Sequence, residues 1–231
     1  MDGYGADQIR AAEAPHLAAG EPLMQRAAAG LADVVDELLG DPAVVPGDGE
    51  RTVLLLVGSG DNGGDALFAG AALAARGHRV EVLCLGSRVH EAGAAAAQQA
   101  GAVLLEHPDD DETVRAAALR ADLVLDAALG IGRTSSTALR SPAREAVGVI
   151  RDLARDQRAP SVVAVDVPSG IDPDTGAVAD DHVLEADVTV TFGGVKAGLL
   201  RGPGRALAGR VVLVDVGIGA DLAAVEPLVR T

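Results

Sequence analysis

The spacing of hydrophobic and polar positions changes once along the chain. In the N-terminal segment Leu23, Met24, Ala27, Leu31, Val34, Val35, Leu38 and Leu39 recur three and four residues apart, and Gly40-Asp41-Pro42 ends the series. That period predicts a helical segment with one buried face. A loop, Val45-Pro46-Gly47-Asp48-Gly49, follows. From Thr52 onward short apolar runs take over, at Val53–Val57, Val80–Leu85, Val103–Leu105, Leu123–Leu125, Val162–Val165, Val188–Thr191 and Val211–Val214. Several are apolar at every position, the pattern of strands covered on both faces. Alanine-rich stretches, Ala66–Ala75, Ala92–Ala100 and Thr113–Ala121, separate the earlier runs and predict helices. The alternation implies βαβ units and an α/β fold on a mostly parallel sheet. No repeat, low-complexity linker or shift in composition divides the chain, so residues 1–231 are expected to form one domain.

Such sheets bind ligands beyond the carboxyl ends of their strands. Polar residues gather at those ends: Asp61, Asn62 and Asp65 after the first run, Asp126 and Gly130-Ile131-Gly132 after the fourth, Asp166-Val167-Pro168-Ser169-Gly170 after the fifth. Three polar loops on one rim predict a site. Gly58-Ser59-Gly60-Asp61-Asn62-Gly63 fits G-x-G-x-x-G between a strand and a helix. Its glycines allow close backbone approach, and the helix start offers free N–H groups to a phosphate. A conventional dinucleotide dehydrogenase carries a ribose-binding acid after its second strand, where this chain has Gly86-Ser87-Arg88. The turn runs on into Gly64-Asp65, which places carboxylates beside an anion site. These could hydrogen-bond ribose, help hold a cation or simply cap the helix. Asp126, at a strand tip, needs a cation or donors to stay ionised, or else caps a turn.

Composition narrows the chemistry further. Hydrophobic residues make up 48% of the chain and aromatics 1%, so the core is built of Ala, Val, Leu and Ile. A net charge of −15 disfavours nucleic acid and anionic membranes as partners. Cys84 is the single cysteine, which excludes an internal disulfide and a thiol metal pair. The five histidines show no metal-ligand spacing. Neither a signal-peptide pattern nor an uninterrupted apolar stretch of membrane-spanning length is present, so a cytoplasmic protein is expected. Lys196, the sole lysine, lies in a glycine loop after a strand, Phe192-Gly193-Gly194-Val195-Lys196, suited to a phosphate contact or to a plain surface turn.

Taken in order, GSGDNGGD (58–65), DAALGIG (126–132), AVDVPSGIDPDTG (164–176), VTFGGVKAGLL (190–200) and GRVVLVDVGI (209–218) resemble the YjeF N-terminal domain family, the NAD(P)H-hydrate epimerases. With Pro22-Leu23-Met24 also similar, the resemblance spans nearly the whole chain. It implies a Rossmann-like three-layer αβα sandwich, commonly dimeric. The implied activity is interconversion of the R and S forms of hydrated NADH or NADPH (NADHX and NADPHX), in partnership with an ADP- or ATP-dependent dehydratase. By the same resemblance Asp61, Asn62, Gly63, Gly64 and Asp65 meet the substrate's phosphates and ribose, and Gly130, Ile131, Gly132, Arg133, Thr134, Ser135 and Ser136 line it. Asn62, Asp126 and Ser169 match a potassium site, and Asp166 faces the reacting ring. Two positions depart from the family pattern: Asp61 stands where the family has an asparagine, and Ile131 interrupts its Gly-Thr-Gly. The expected chemistry is acid–base catalysis by Asp166 through a planar cationic intermediate. The rivals are a non-catalytic nucleotide or ADP-ribose-binding module and a conventional NAD(P)-dependent oxidoreductase.

Overall fold

The strand β2, Thr52–Val57, shows how the sheet is covered. Val53, Leu55 and Val57 enter one apolar cluster, and Leu54 and Leu56 enter another on the opposite face. All five are essentially inaccessible, as the unbroken apolar run requires. The computed structural model describes residues 1–46, 49–129, 137–156 and 159–231. Alongside β2 run β3 (Arg79–Cys84), β4 (Val103–Leu104), β5 (Leu123–Ala127), β6 (Ser161–Val165), β7 (Val188–Phe192) and β8 (Arg210–Val214). They form a seven-stranded sheet in the order β4-β3-β2-β5-β6-β7-β8, every pair parallel.

Helices cover both faces. α2 (Leu23–Gly40), α3 (Asp61–Ala75) and α4 (Glu91–Gln99) pack on the first face, α5 (Asp111–Arg120) and α6 (Ala143–Arg155) on the second. This is the three-layer αβα sandwich the resemblance implies. The chain steps from β2 outward to β3 and β4, then returns to lay β5 against the other side of β2. Connections leaving β2 and β5 therefore diverge, and a crevice opens at the carboxyl ends of this pair. Gly58 sits at its neck, where an added Cβ would lie 2.1 Å from the Ala128 carbonyl oxygen.

One further layer is built by the chain ends. β1 (Asp2–Gly3) pairs antiparallel with β9 (Val229–Arg230), and the terminal ammonium bonds the Thr231 carbonyl at 2.6 Å. From this clasp α1 (Ala6–Ala18) runs on to pack against α2 and α8, its Ala6 N–H held by Asp174 Oδ1 at 2.7 Å. Two short helices, α7 (Gly204–Leu207) and α8 (Gly219–Ala223), complete the fold.

Candidate active site

Four of the marked residues, Asn62, Asp126, Asp166 and Ser169, lie at the carboxyl ends of β2, β5 and β6. Asp126 lies inside β5 rather than beyond it, with 1% of its surface exposed. Its carboxylate accepts N–H bonds from Ser169 at 2.8 Å and Ala128 at 3.4 Å. Burial pushes its pKa upward against the pull of those bonds. Ser169 is equally buried, and its Oγ accepts the Leu129 N–H at 2.8 Å. Asn62, in the first turn of α3, donates Nδ2 to the Val165 carbonyl at 2.7 Å. This bond ties the helix start to the end of β6 and uses only the amide nitrogen. The side-chain oxygen of Asn62 accepts no bond among the described residues. Asn62, Asp126 and Ser169 offer an amide oxygen, a buried carboxylate and a hydroxyl, the ligand types a hard cation takes, and Asp126 has no cationic side chain among its partners.

Asp166 follows β6 directly. Its φ of +70° puts a non-glycine residue in the left-handed region, a conformation costing about 1–3 kcal/mol that the surroundings must hold. Its N–H is fixed to the Val190 carbonyl at 2.7 Å. Its Oδ1 accepts from Lys196 Nζ, from Thr191 Oγ1 at 3.1 Å and from the Phe192 N–H at 3.2 Å. Three donors thus converge on one oxygen, and Oδ2 accepts none among the described residues. The carboxylate is anchored by one edge and leaves the other for a ligand.

Lys196 is the anchor, and the surface turn considered for it does not form. It is 2% exposed, and its ammonium bridges Asp166 and the Phe192 carbonyl, the latter at 3.0 Å. The N-terminal segment holds this loop. Tyr4 donates to the Val195 carbonyl and accepts from the Ala197 N–H, each at 2.8 Å, and so pairs with Lys196 like a short parallel strand.

The glycine turn closes as its sequence demands. Gly60 is the N-cap of α3, so Asp65 is not a cap but the fifth residue of the helix. An added Cβ at Gly63 would lie 2.3 Å from the Gly58 carbonyl oxygen. Asp65 is 6% exposed and makes no hydrogen bond or ion pair among the described residues. Burial first, then the charges of Asp166 and Asp61, push its pKa up to about 8. A second carboxyl arrives from α1. Glu13 is half-buried, with its pKa raised by burial first, and it feels Lys196, Asp166 and Asp61 electrostatically. The sequence gives no sign of Glu13 beyond its position four residues after Ile9. Thr191 was also missed; it is one of two buried threonines, with Thr189, that alternate with apolar residues along β7. The expected lining residues Gly130, Ile131, Gly132, Arg133, Thr134, Ser135 and Ser136 lie outside the described residues.

Three histidines take structural roles. His90 caps α4 by accepting the Gly93 N–H at 3.0 Å, His78 pairs with Asp36, and His16 bridges Glu21 and Asp221. His182 does gather with Asp180 and Asp181, which the sequence spacing did not suggest. Both acids are already paired, with Arg144 and Arg151. An open groove of about 570 Å³ between α1 and α8, lined by Ala11, Ala12, Ala220 and Val225, contains none of the site residues.

Residues 20–198 match the family model described as YjeF-related protein N-terminus. An NAD(P)H-hydrate epimerase of Clavibacter michiganensis subsp. michiganensis is 52% identical over 99% of this chain and 95% of its own length. A second protein of that name, from Microbacterium testaceum, is 49% identical over 98% of this chain and 82% of its own. The bifunctional NAD(P)H-hydrate repair enzyme Nnr of Mycobacterium tuberculosis is 43% identical over 97% of this chain, which spans 43% of that protein. Among solved structures, yeast ynu0, YNL200c, superposes with a TM-score of 0.67 at 19% identity, over 92% of this chain and 87% of that one. That likeness supports the fold. With the family model matched over residues 20–198 and near-full-length relatives at about half identity, the chain belongs to the YjeF-related N-terminal family.

Proposed function

We infer that this chain interconverts the R and S forms of hydrated NADH and NADPH. The relatives' shared activity supports this, and one observation carries the chemistry: Asp166, at the carboxyl end of β6, is held by Oδ1, and Oδ2 accepts no bond among the described residues. Epimerisation at the hydrated carbon requires the hydroxyl to leave and water to return on the other face. The ring nitrogen's lone pair conjugates with the carbon as the C–O bond breaks, giving a planar cation. A fixed carboxylate beside that ring stabilises the developing charge and accepts a proton from incoming water. Lys196 and Thr191 position the carboxylate, and the strained backbone at Asp166 keeps it from turning away.

Asp65 resolves why acids sit beside a phosphate-binding turn. With a pKa of about 8 it is protonated through neutral pH, so it donates a hydrogen bond to a ribose or phosphate oxygen instead of repelling it. Asp61, Asn62, Gly63 and Gly64 offer the start of α3 to the same groups. By the family resemblance, residues 130–136 are further candidates for substrate contact. A potassium ion belongs to this reading, held by Asn62, Asp126 and Ser169, and when bound it supplies positive charge that fixes the substrate's anionic portion. The protein acts as a homodimer in the cytoplasm, alongside a dehydratase that consumes the epimers. The bifunctional repair enzyme among its relatives supports that partnership.

Chiral chromatography of an NADHX mixture displaced from equilibrium tests the reading. Approach to equilibrium much faster than in buffer is expected, with no change in nicotinamide absorbance. A rate equal to that in buffer would leave a nucleotide-binding module, and a hydride-dependent absorbance change would indicate an oxidoreductase.

A further inference from the structure

The order of the strands gives a bound dinucleotide a direction. Counted from β2, the sheet runs 3-2-1-4-5-6 with one strand more, the order of dinucleotide-binding sheets. In those sheets the pyrophosphate sits at the helix start after the first strand, and the adenosine ribose lies at the tip of the second. The corresponding places here are the start of α3 and the tip of β3. Asp166, at the tip of β6, lies on the other side of β2, three strand spacings or about 14 Å from β3. A dinucleotide spans that distance, with its hydrated ring at Asp166 and its adenosine at β3.

The segment after β3 is built against the glycine turn. Leu85 and Gly86 both donate N–H bonds to the Val57 carbonyl, at 2.8 and 3.2 Å. A Cβ added at Gly86 would lie 2.5 Å from the Ser59 nitrogen, so a side chain has no room there. Ser59 Oγ then accepts the Arg88 N–H at 3.2 Å. Two residues on, the His90 ring rests on the first turn of α3, where a Cβ at Gly64 would lie 3.1 Å from His90 Cδ2. That ring is fixed in turn by the Gly93 N–H on its Nδ1 and by Phe68, whose ring meets it edge-on with centroids 5.4 Å apart. The backbone of Arg88 is thus pinned between two contacts with the phosphate-binding turn. Its side chain is exposed and makes no hydrogen bond or ion pair among the described residues. The acids near it in sequence or at the turn, Glu91 and Asp61, start α4 and α3, and neither pairs with it among the described residues. In a chain with 34 acids and 19 basic residues, a guanidinium left free beside such a turn is placed for a ligand's charge. The acid that would meet a bare ribose hydroxyl at this strand tip is missing from residues 85–88. Lys196 is 2% exposed and bound to Asp166, which removes it from this role.

We propose that Arg88 binds the 2′-phosphate on the adenosine ribose, which makes NADPHX the preferred substrate over NADHX. This rests on the epimerase reading and deepens it. The guanidinium fork meets two phosphate oxygens at once, and the backbone anchors keep its stem at the strand tip. A 2′-hydroxyl carries no charge and gains less from the same group.

The test compares wild type with Arg88→Ala on NADPHX and NADHX, each started from one purified epimer. The wild-type kcat/KM is expected to be about 10- to 100-fold higher for NADPHX, and the ratio to fall to near unity in the variant, chiefly through a higher KM for NADPHX. Arg88→Lys keeps the charge without the fork and is expected to hold an intermediate ratio. Calorimetric titration with NADP⁺ and NAD⁺, whose adenosine halves match those of the substrates, reads the same contact without turnover. NADP⁺ is expected to bind more tightly by a similar factor, the advantage shrinking with added salt and vanishing in Arg88→Ala. Equal constants for the two nucleotides in wild type overturn the proposal, as does a preference for the phosphorylated forms that survives in Arg88→Ala. A wild type that interconverts neither substrate yet favours NADP⁺ through Arg88 overturns the epimerase reading alone, and one that binds neither nucleotide overturns this inference.

Discussion

Replacing Asp65 with asparagine makes a buried, unpaired acid permanently neutral. The wild-type carboxyl has a pKa of about 8 in the folded protein against an ordinary value of 3.8, chiefly because burial disfavours its charge. The sign follows from proton uptake. Below the ordinary value both folded and unfolded chains hold the proton, and Asp65 imposes no pH dependence. Between that value and about 8 the unfolded chain releases its proton while the folded chain keeps it. Stability therefore falls as pH rises, by up to about 1.4 kcal/mol for each unit, and levels off above the folded pKa. Across the whole window the loss is on the order of 5 kcal/mol, large beside a typical domain stability of about 5–15 kcal/mol. Asparagine escapes this loss while keeping the shape and a donor. Urea unfolding of both proteins at several pH values from acid to mildly alkaline gives the comparison. The difference between the two cancels the general repulsion of a chain with net charge −15. Asp65→Asn is expected to match wild type near pH 4 and to become progressively more stable towards pH 8. A constant difference across the range, or a wild type that gains on the variant as pH rises, would refute the neutral-acid assignment and the hydrogen-bond role built on it.

Lys196→Met leaves Asp166 buried with its charge uncompensated and is expected to cost about 3–5 kcal/mol, lowering Tm by roughly 10 °C. A calorimetric Tm within experimental error of wild type would contradict the anchoring role. Gly58→Ala forces a methyl group into the space 2.1 Å from the Ala128 carbonyl oxygen and must spread β2 from β5. A loss of about 1–3 kcal/mol in urea unfolding is expected, with weaker nucleotide binding, and a neutral result would place the neck of the crevice elsewhere. Potassium at about 100 times its Kd is expected to stabilise the wild type by roughly 2.7 kcal/mol over choline at equal ionic strength. Asp126→Asn should abolish the difference, and a potassium effect that survives in the variant excludes Asp126 as a ligand.

The sheet was legible because burial on both faces writes itself as continuous apolar runs, and all seven predicted runs became strands. The strand tips were legible for a related reason: Asp126 and Asp166 put carboxylates at the carboxyl ends of apolar runs. What the sequence hid depends on long-range pairing. α1 is poor in large apolar residues and contains Pro15, so its periodicity is faint, and its position is set by Tyr4, Asp174 and Ile9 against loops far along the chain. Lys196 in a glycine-rich stretch reads locally as a turn. Only the pairing of β6 with β7 puts it beside Asp166. Glu13 was invisible for the same reason, since its environment is created by two loops with which it shares no local pattern. Asp65 was recognised as unusual, but its protonation depends on a burial that spacing alone does not reveal.

The chemistry assigned to Asp166 can be tested by starting from one purified NADHX epimer in ¹⁸O-labelled water and following the opposite epimer by chromatography and mass spectrometry, with wild type and Asp166→Asn. Loss and return of the hydroxyl through a planar cation should yield an inverted product carrying solvent oxygen, formed at least about 100-fold more slowly by the variant. An inverted product that retains its original oxygen, or a folded Asp166→Asn protein working at the wild-type rate, would contradict it.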